Sequence, residues 1–319
     1  MKFRTEVDIK ESEKKIRLED KIFSIGSCFA SEMSDLFSQG QLQSLNNPFG
    51  TVFNPFSISN SLKRLHDAAF YHEDELITFN DEFISLDHHT SFDTRYIHQT
   101  LNKINAQIEE GNTFLQESDW VIITYGSSFI YEFLPKKKLV ANCHKIPQKF
   151  FEKRLLSHQE ITDSIYNTIL NLNDICKEDV QILYTVSPVR HTKDGMIENQ
   201  LSKSKLITAV HEAIQQFENC YYLPVYEMVM DDLRDYRFYK EDMIHPNNQA
   251  VNYIFEKFGN AYFGDETKGF IKENFKINKA LEHRTDDDKD PKYIEFKEKL
   301  NQKIEAQRQK VKHKIFPNA

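Results

Sequence analysis

Two short stretches, far apart in the chain, carry residue types that can move protons and attack carbonyl groups. In "KIFSIGSCFASEM" (21–33), Ser27 and Cys28 stand side by side after an apolar run and a glycine. In "YKEDMIHPNNQA" (239–250), Asp242 and His245 are separated by three positions, just before a proline. On a turn, that spacing lets a carboxylate reach an imidazole and fix its tautomer, as the orienting acid of a triad does. A nucleophile on the first turn of a helix faces unpaired N–H groups, which stabilise a thiolate or a developing oxyanion. Together the four residues suit nucleophilic attack on an acyl group. Separately they say little, because cysteine packs in cores as readily as it reacts.

The elements that must position them are legible as apolar runs. "KIFSIG" (21–26), "DWVIITYG" (119–126) and "VQILYTVSP" (180–188) read as buried strands of a parallel sheet, with "NCYYLPV" (219–225) a fourth. Ser157 and Glu160 form a capping box ahead of a helical face of Ile161, Ile165, Ile169 and Leu172. A second helix over 203–218 presents Leu206, Ala209, Ala213 and Phe217; a third over 246–262 opens with Pro246 at its first position. Strands alternating with helices predict an α/β sheet covered on both faces, with sites at the carboxyl ends of its strands. That rule selects Ser27 and Cys28, Gly126 to Ser128, and Ser187 to His191.

Two segments interrupt the alternation. Residues 74–95 contain a hairpin-like pair broken at Asn80-Asp81, and residues 131–155 depart from the sheet. Both read as insertions in a domain spanning 1–281. Residues 282–319 read as a charged linker, "EHRTDDDKDPKY", and a C-terminal helix. Tyr293, Phe296, Leu300, Ile304, Val311 and Ile315 fall at helical spacing in that helix, which is expected to dock on its own domain. A homo-oligomer built through it is the alternative.

Composition narrows the function. Lys plus Arg number 41 against 49 Asp plus Glu, a net charge of −8, so no nucleic-acid partner is expected. Cys28, Cys143, Cys176 and Cys220 are too scattered for a zinc ribbon or a disulfide scaffold. Cys143-His144 and His88-His89 are adjacent pairs, which rarely chelate one ion, so neither a metal nor another cofactor is expected. No run suits a signal peptide or a membrane span, which makes the cytoplasm the expected compartment.

The ordered set "GSCFA", "NPFGTVFNPFSI", "TYGSSFIYE", "NCHK", "TVSPVRH", "SKSKL" and "DMIHPN" resembles the GSCFA-domain family, within the SGNH-hydrolase-like superfamily. The resemblance implies a three-layer α/β/α sandwich with a flavodoxin-like parallel sheet and a C-terminal helical extension. It also implies an esterase or acyltransferase type of site. Laid on the superfamily's blocks, Cys28 takes the nucleophile's place and Ser27 that of an aspartate, leaving Ser27 as the second candidate nucleophile and the expected cap of the following helix. Gly50 matches the second block's glycine, and Asp242 and His245 match the last block. The third block, Gly-x-Asn, falls on Gly126, Ser127 and Ser128, so its asparagine is missing. Losing one oxyanion donor typically costs about 2.7–4 kcal/mol of transition-state stabilisation. Ser128 or Asn142 is expected to compensate, beside the amides of Cys28, Gly50 and Gly126. By position alone, Arg190 and His191, after the strand of "TVSP", sit at the end of the sheet where they can meet a carboxylate or phosphate; a structural pairing with surface acids is the equal alternative. The expected substrate is a small-molecule or carbohydrate acyl ester; the rival reading is a binding protein that has kept the crevice and lost turnover.

Overall fold

The apolar runs pair edge to edge in a parallel sheet in the computed structural model, which describes residues 5–282 and 290–317. Strand β1 (Lys21–Gly26) leads into helix α1 (Cys28–Gln39), then strand β2 (Gln43–Asn46) and helix α2 (Pro55–His66). A hairpin of β3 (Ile77–Phe79) and β4 (Glu82–Ile84) precedes helix α3 (Ile97–Gln116) and strand β5 (Trp120–Tyr125). Strands β6 (Phe129–Phe133), β7 (Lys138–Val140) and β8 (Phe151–Leu155) follow, then helix α4 (His158–Ile175). Strand β9 (Gln181–Val186), helix α5 (Met196–Ile214) and strand β10 (Cys220–Leu223) complete the sheet. A three-residue helix α6 (Val225–Glu227) runs into a π-helical turn, and helices α7 (Asn248–Tyr262), α8 (Asp265–Leu281) and α9 (Pro291–Arg308) close the chain.

The main sheet has the order β10-β9-β5-β1-β2, and every neighbouring pair is parallel. The chain steps from β1 out to β2, then crosses back past β1 to β5. That is the flavodoxin-like order, and its reversal falls between β1 and β5, where open α/β sheets hold their ligands. Phe23, Ile25, Val121, Ile123, Ile182 and Tyr184 share one core with α2, α3, α4 and α5. Ile22, Trp120, Ile122 and Leu183 share the other with α1, α7, α8 and α9. Both faces are covered, which is why the central strands read as unbroken apolar runs.

Beside the sandwich, β6 pairs antiparallel with β7 and β8, and the β3–β4 hairpin turns through Asn80 and Asp81, both at positive φ. Ile84, Leu86, Phe133, Val140 and Phe151 join these strands in a third, smaller core.

Three boundaries differ from the sequence expectations. Helix α5 begins at Met196 rather than 203. Pro246 lies outside α7, bridged to Tyr239, and Asn247 caps the helix by accepting from the Ala250 N–H. Helix α9 ends at Arg308, after which the chain turns back and buries Ile315 and Phe316. The buried stripe of α9, Leu300 and Ile304, faces its own body, and Lys303 pairs with Glu273 of α8. Residues 283–289 of the charged stretch lie outside the described residues. No helix among the described residues is long and apolar enough to cross a membrane.

Candidate functional site

The end of β1 is fixed by close packing. Gly26 has φ +146°, and a Cβ there would sit 2.2 Å from the Thr124 carbonyl oxygen, so only glycine fits. The loop between β2 and α2 then braces two strand ends at once. Asn47 accepts from the Gly26 N–H through Oδ1, and the Val52 N–H donates to the Gly26 carbonyl. The Phe53 carbonyl accepts from the amides of Gly126 and Ser127, just past β5.

This bracing corrects two expected roles. The Gly126 amide is bonded to Phe53 and the Gly50 amide to the Asn47 carbonyl, so neither is free to hold an oxyanion. Ser128 is also turned away. It is fully buried, its N–H donates to Ser202 Oγ, and its hydroxyl bonds the carbonyl and Oγ of Ser202 on α5. Asn142 stays in the accessory layer, its amide on Leu86 and its Oδ1 accepting from the His144 N–H. His144 spends both ring nitrogens on Asp93 and the Ser85 carbonyl.

Ser27 and Cys28 diverge at the start of α1. Ser27 sits at the N-cap position, yet its hydroxyl makes no cap hydrogen bond, which corrects the expected capping role. Its Oγ is buried with no partner, while its N–H donates to the Thr124 carbonyl. Cys28 is half-buried. Burial pushes its thiol pKa up, and the Glu32 carboxylate one turn on adds to the rise. Hydrogen bonds from the Phe29 and Cys28 amides pull the other way, as does the more distant Lys203, without overcoming burial. The thiol is therefore held protonated rather than pre-ionised, and attack through it needs a base.

Asp242 and His245 form a hydrogen-bonded pair on the turn before α7. His245 Nδ1 lies 2.7 Å from Asp242 Oδ2, and Asp242 Oδ1 accepts from the amides of Ile244 and His245. Those two amides and the imidazole hold the Asp242 pKa down to about 2. Met243, at φ +58°, is in the left-handed region, a strained setting for a bulky residue at the centre of the turn. The turn is tied to α1 and to the segment after β9. Lys240 pairs with Glu32 on α1 and donates its N–H to the His245 carbonyl, and the Arg190 amide donates to the Ile244 carbonyl.

Beneath the crevice lies a group whose role the sequence did not reveal. Lys203 of α5 is fully buried, and its ammonium donates to the carbonyls of Gly126 and Ser187 at 2.6 Å each, spanning the ends of β5 and β9. Burial lowers its pKa to about 7. The available signal was its position: Asn199, Ser202, Lys203, Leu206 and Val210 form one buried stripe, with polar residues where a core face expects apolar ones. His191 also closes in. Its Nε2 lies 3.5 Å from where a Gly126 Cβ would be, beside Ser27, and is buried without a partner. Burial, Lys203 and His245 together push its pKa down to about 4.

Several solved structures resemble this fold distantly. A carbohydrate esterase family 2 enzyme with a carbohydrate-binding domain, from Corynascus thermopiles (Myceliophthora fergusii), aligns at TM-score 0.39 and 10% identity, covering 82% of this chain and 68% of that one. A family 3 carbohydrate esterase of Clostridium thermocellum aligns at TM-score 0.35 and 10% identity, over 80% of this chain and 98% of that one. One from Talaromyces cellulolyticus aligns at 0.35 and 8%, over 80% and 99%. Likeness of this size carries nothing about activity. No sequence among the curated proteins matches the chain. The family model of the GSCFA family, by contrast, matches residues 21–258, from the first strand of the sheet into α7: the chain belongs to the GSCFA family.

Proposed function

We propose that this protein is an esterase or acyltransferase working through a covalent acyl-enzyme on a small-molecule or carbohydrate acyl ester. The observation that carries the reading is the Asp242–His245 pair. With Nδ1 committed to a carboxylate, Nε2 is the nitrogen left for proton transfer. Cys28 attacks the ester carbonyl and passes its proton to His245, which returns it to the departing alkoxide. A thioester remains on Cys28, and water or an acceptor alcohol then takes the acyl group. The exposure of Cys28 favours it over Ser27, whose hydroxyl is enclosed. The amides of Cys28 and Phe29, which bond the Cys28 sulfur, are the donors we assign to the developing oxyanion. Arg190 is assigned to substrate binding, since its amide bonds the turn that carries His245. All four cysteines are free, which suits a cytoplasmic setting.

The second reading, a binding protein without turnover, is favoured by the occupied amides of Gly50 and Gly126. Hydrolysis of p-nitrophenyl acetate by wild type and His245→Ala separates the two. Catalysis predicts wild-type turnover that falls by about 10²–10⁴-fold in the variant. Equal, background-level rates in both proteins sink the esterase reading.

A further inference from the structure

Arg190 follows β9 and lacks the partner that a half-buried guanidinium normally has. Its Nε is buried with no acceptor, and its terminal nitrogens reach only thioether sulfurs, Met230 at 4.0 Å and Met196 at 3.8 Å. Sulfur is a weak acceptor, so the five-donor fork is left unsatisfied. No ion pair joins Arg190 to a carboxylate among the described residues. The neighbouring Lys203 also bonds only carbonyl oxygens, so it brings no acid to Arg190. The Arg190 charge thus sits at the end of β9 with no carboxylate paired to it, an arrangement that is costly unless an anion arrives.

The space for one is present. Arg190 opens on a cavity of about 210 Å³, lined also by Met230, Leu233, Arg234, Tyr236 and Tyr239. Arg234 is already paired with Asp231. Asp235 is the one acid in the lining, and its Oδ1 is turned into its own 3-10 turn, accepting from the Arg237 N–H. The cavity adjoins the candidate base: the Arg190 amide holds the Ile244 carbonyl, and Tyr239 bridges Pro246.

We infer that this cavity is a subsite for an anionic group on the substrate, a carboxylate or a phosphate gripped by the Arg190 fork. The ester part of this inference rests on the esterase reading; the anion subsite does not. Titration calorimetry of inorganic phosphate and of succinate into wild type, Arg190→Met and Arg190→Lys tests it. Wild type is expected to bind at least one anion at a single site, with affinity at least tenfold weaker in Arg190→Met. Arg190→Lys, which keeps the charge and loses the fork, is expected to weaken binding at least threefold, and it carries the test should thermal melting find Arg190→Met unfolded. Phosphate alone binding supports a phosphorylated substrate, and succinate alone a carboxylated one. Binding of neither anion to wild type, or equal affinity in folded variants, overturns the subsite. Wild-type turnover of p-nitrophenyl acetate, measured in parallel, judges the esterase reading separately.

Discussion

His245 and His191 stand at the same end of the sheet, one on the surface turn before α7 and one after β9. His245 has a carboxylate on Nδ1, and that carboxylate is held by two backbone amides at the edge of solvent. His191 is enclosed against Phe53 and Gly126, its Nε2 has no partner, and burial above all keeps it neutral at ordinary pH. The contrast teaches where each kind of work is done. The imidazole at the surface keeps a carboxylate partner at the edge of solvent, and the enclosed one has no partner. The layer beneath, built from Lys203, Ser128 and Ser202, is closed by hydrogen bonds among buried groups.

The largest test of that division is Lys203→Met. Burial holds the amine at about 7 in the folded chain, against an ordinary 10.5. Between those values the unfolded chain binds the extra proton, so folding stability rises with pH across the window. The wild type is expected to gain on the order of 1 kcal/mol per pH unit over Lys203→Met there. Denaturant midpoints at pH 7, 8 and 9 check it, and parallel trends in the two proteins would remove the floor's charge from the picture. Ser128→Ala is a smaller change. It removes the hydroxyl's bonds to Ser202, whose Oγ keeps Ser127 and the backbone N–H of residue 128, and is expected to cost about 0.5–1.5 kcal/mol of stability. Ester turnover should hold within threefold in that variant. A hundredfold loss of turnover at unchanged stability would return Ser128 to the oxyanion role. The smallest effect is expected at Glu32→Gln. Removing that charge takes away part of what raises the Cys28 thiol pKa, so alkylation of Cys28 at pH 8 should quicken a few-fold. An unchanged rate would separate Cys28 from the helix that carries it.

Much of the scaffold was legible because burial on both faces leaves a plain mark. The runs that became β1, β5, β9 and β10 are apolar without alternation. Strand β2, Gln43–Asn46, left no such mark: it is an edge strand with every residue half-buried. Helix α3 went unread although Ile104, Ile108 and Leu115 line one face, because long polar intervals separate them. At the site, the Asp242–His245 pair was legible because three residues of spacing suffice to join them. Ser27 as a cap and Ser128 as a donor were misread because a side chain's direction depends on contacts from distant segments. Thr124 holds the Ser27 amide, and Ser202 takes the Ser128 hydroxyl. Lys203 was passed over because a lysine amid serines reads as surface until the buried stripe around it is known.

Glu32 on α1 and Lys240 on the turn before α7 tie together two segments that leave the ribosome far apart in time. Helices α7 and α8, also late in the chain, pack on α1. A chain released before residue 240 therefore carries Cys28 on a helix that lacks this tie.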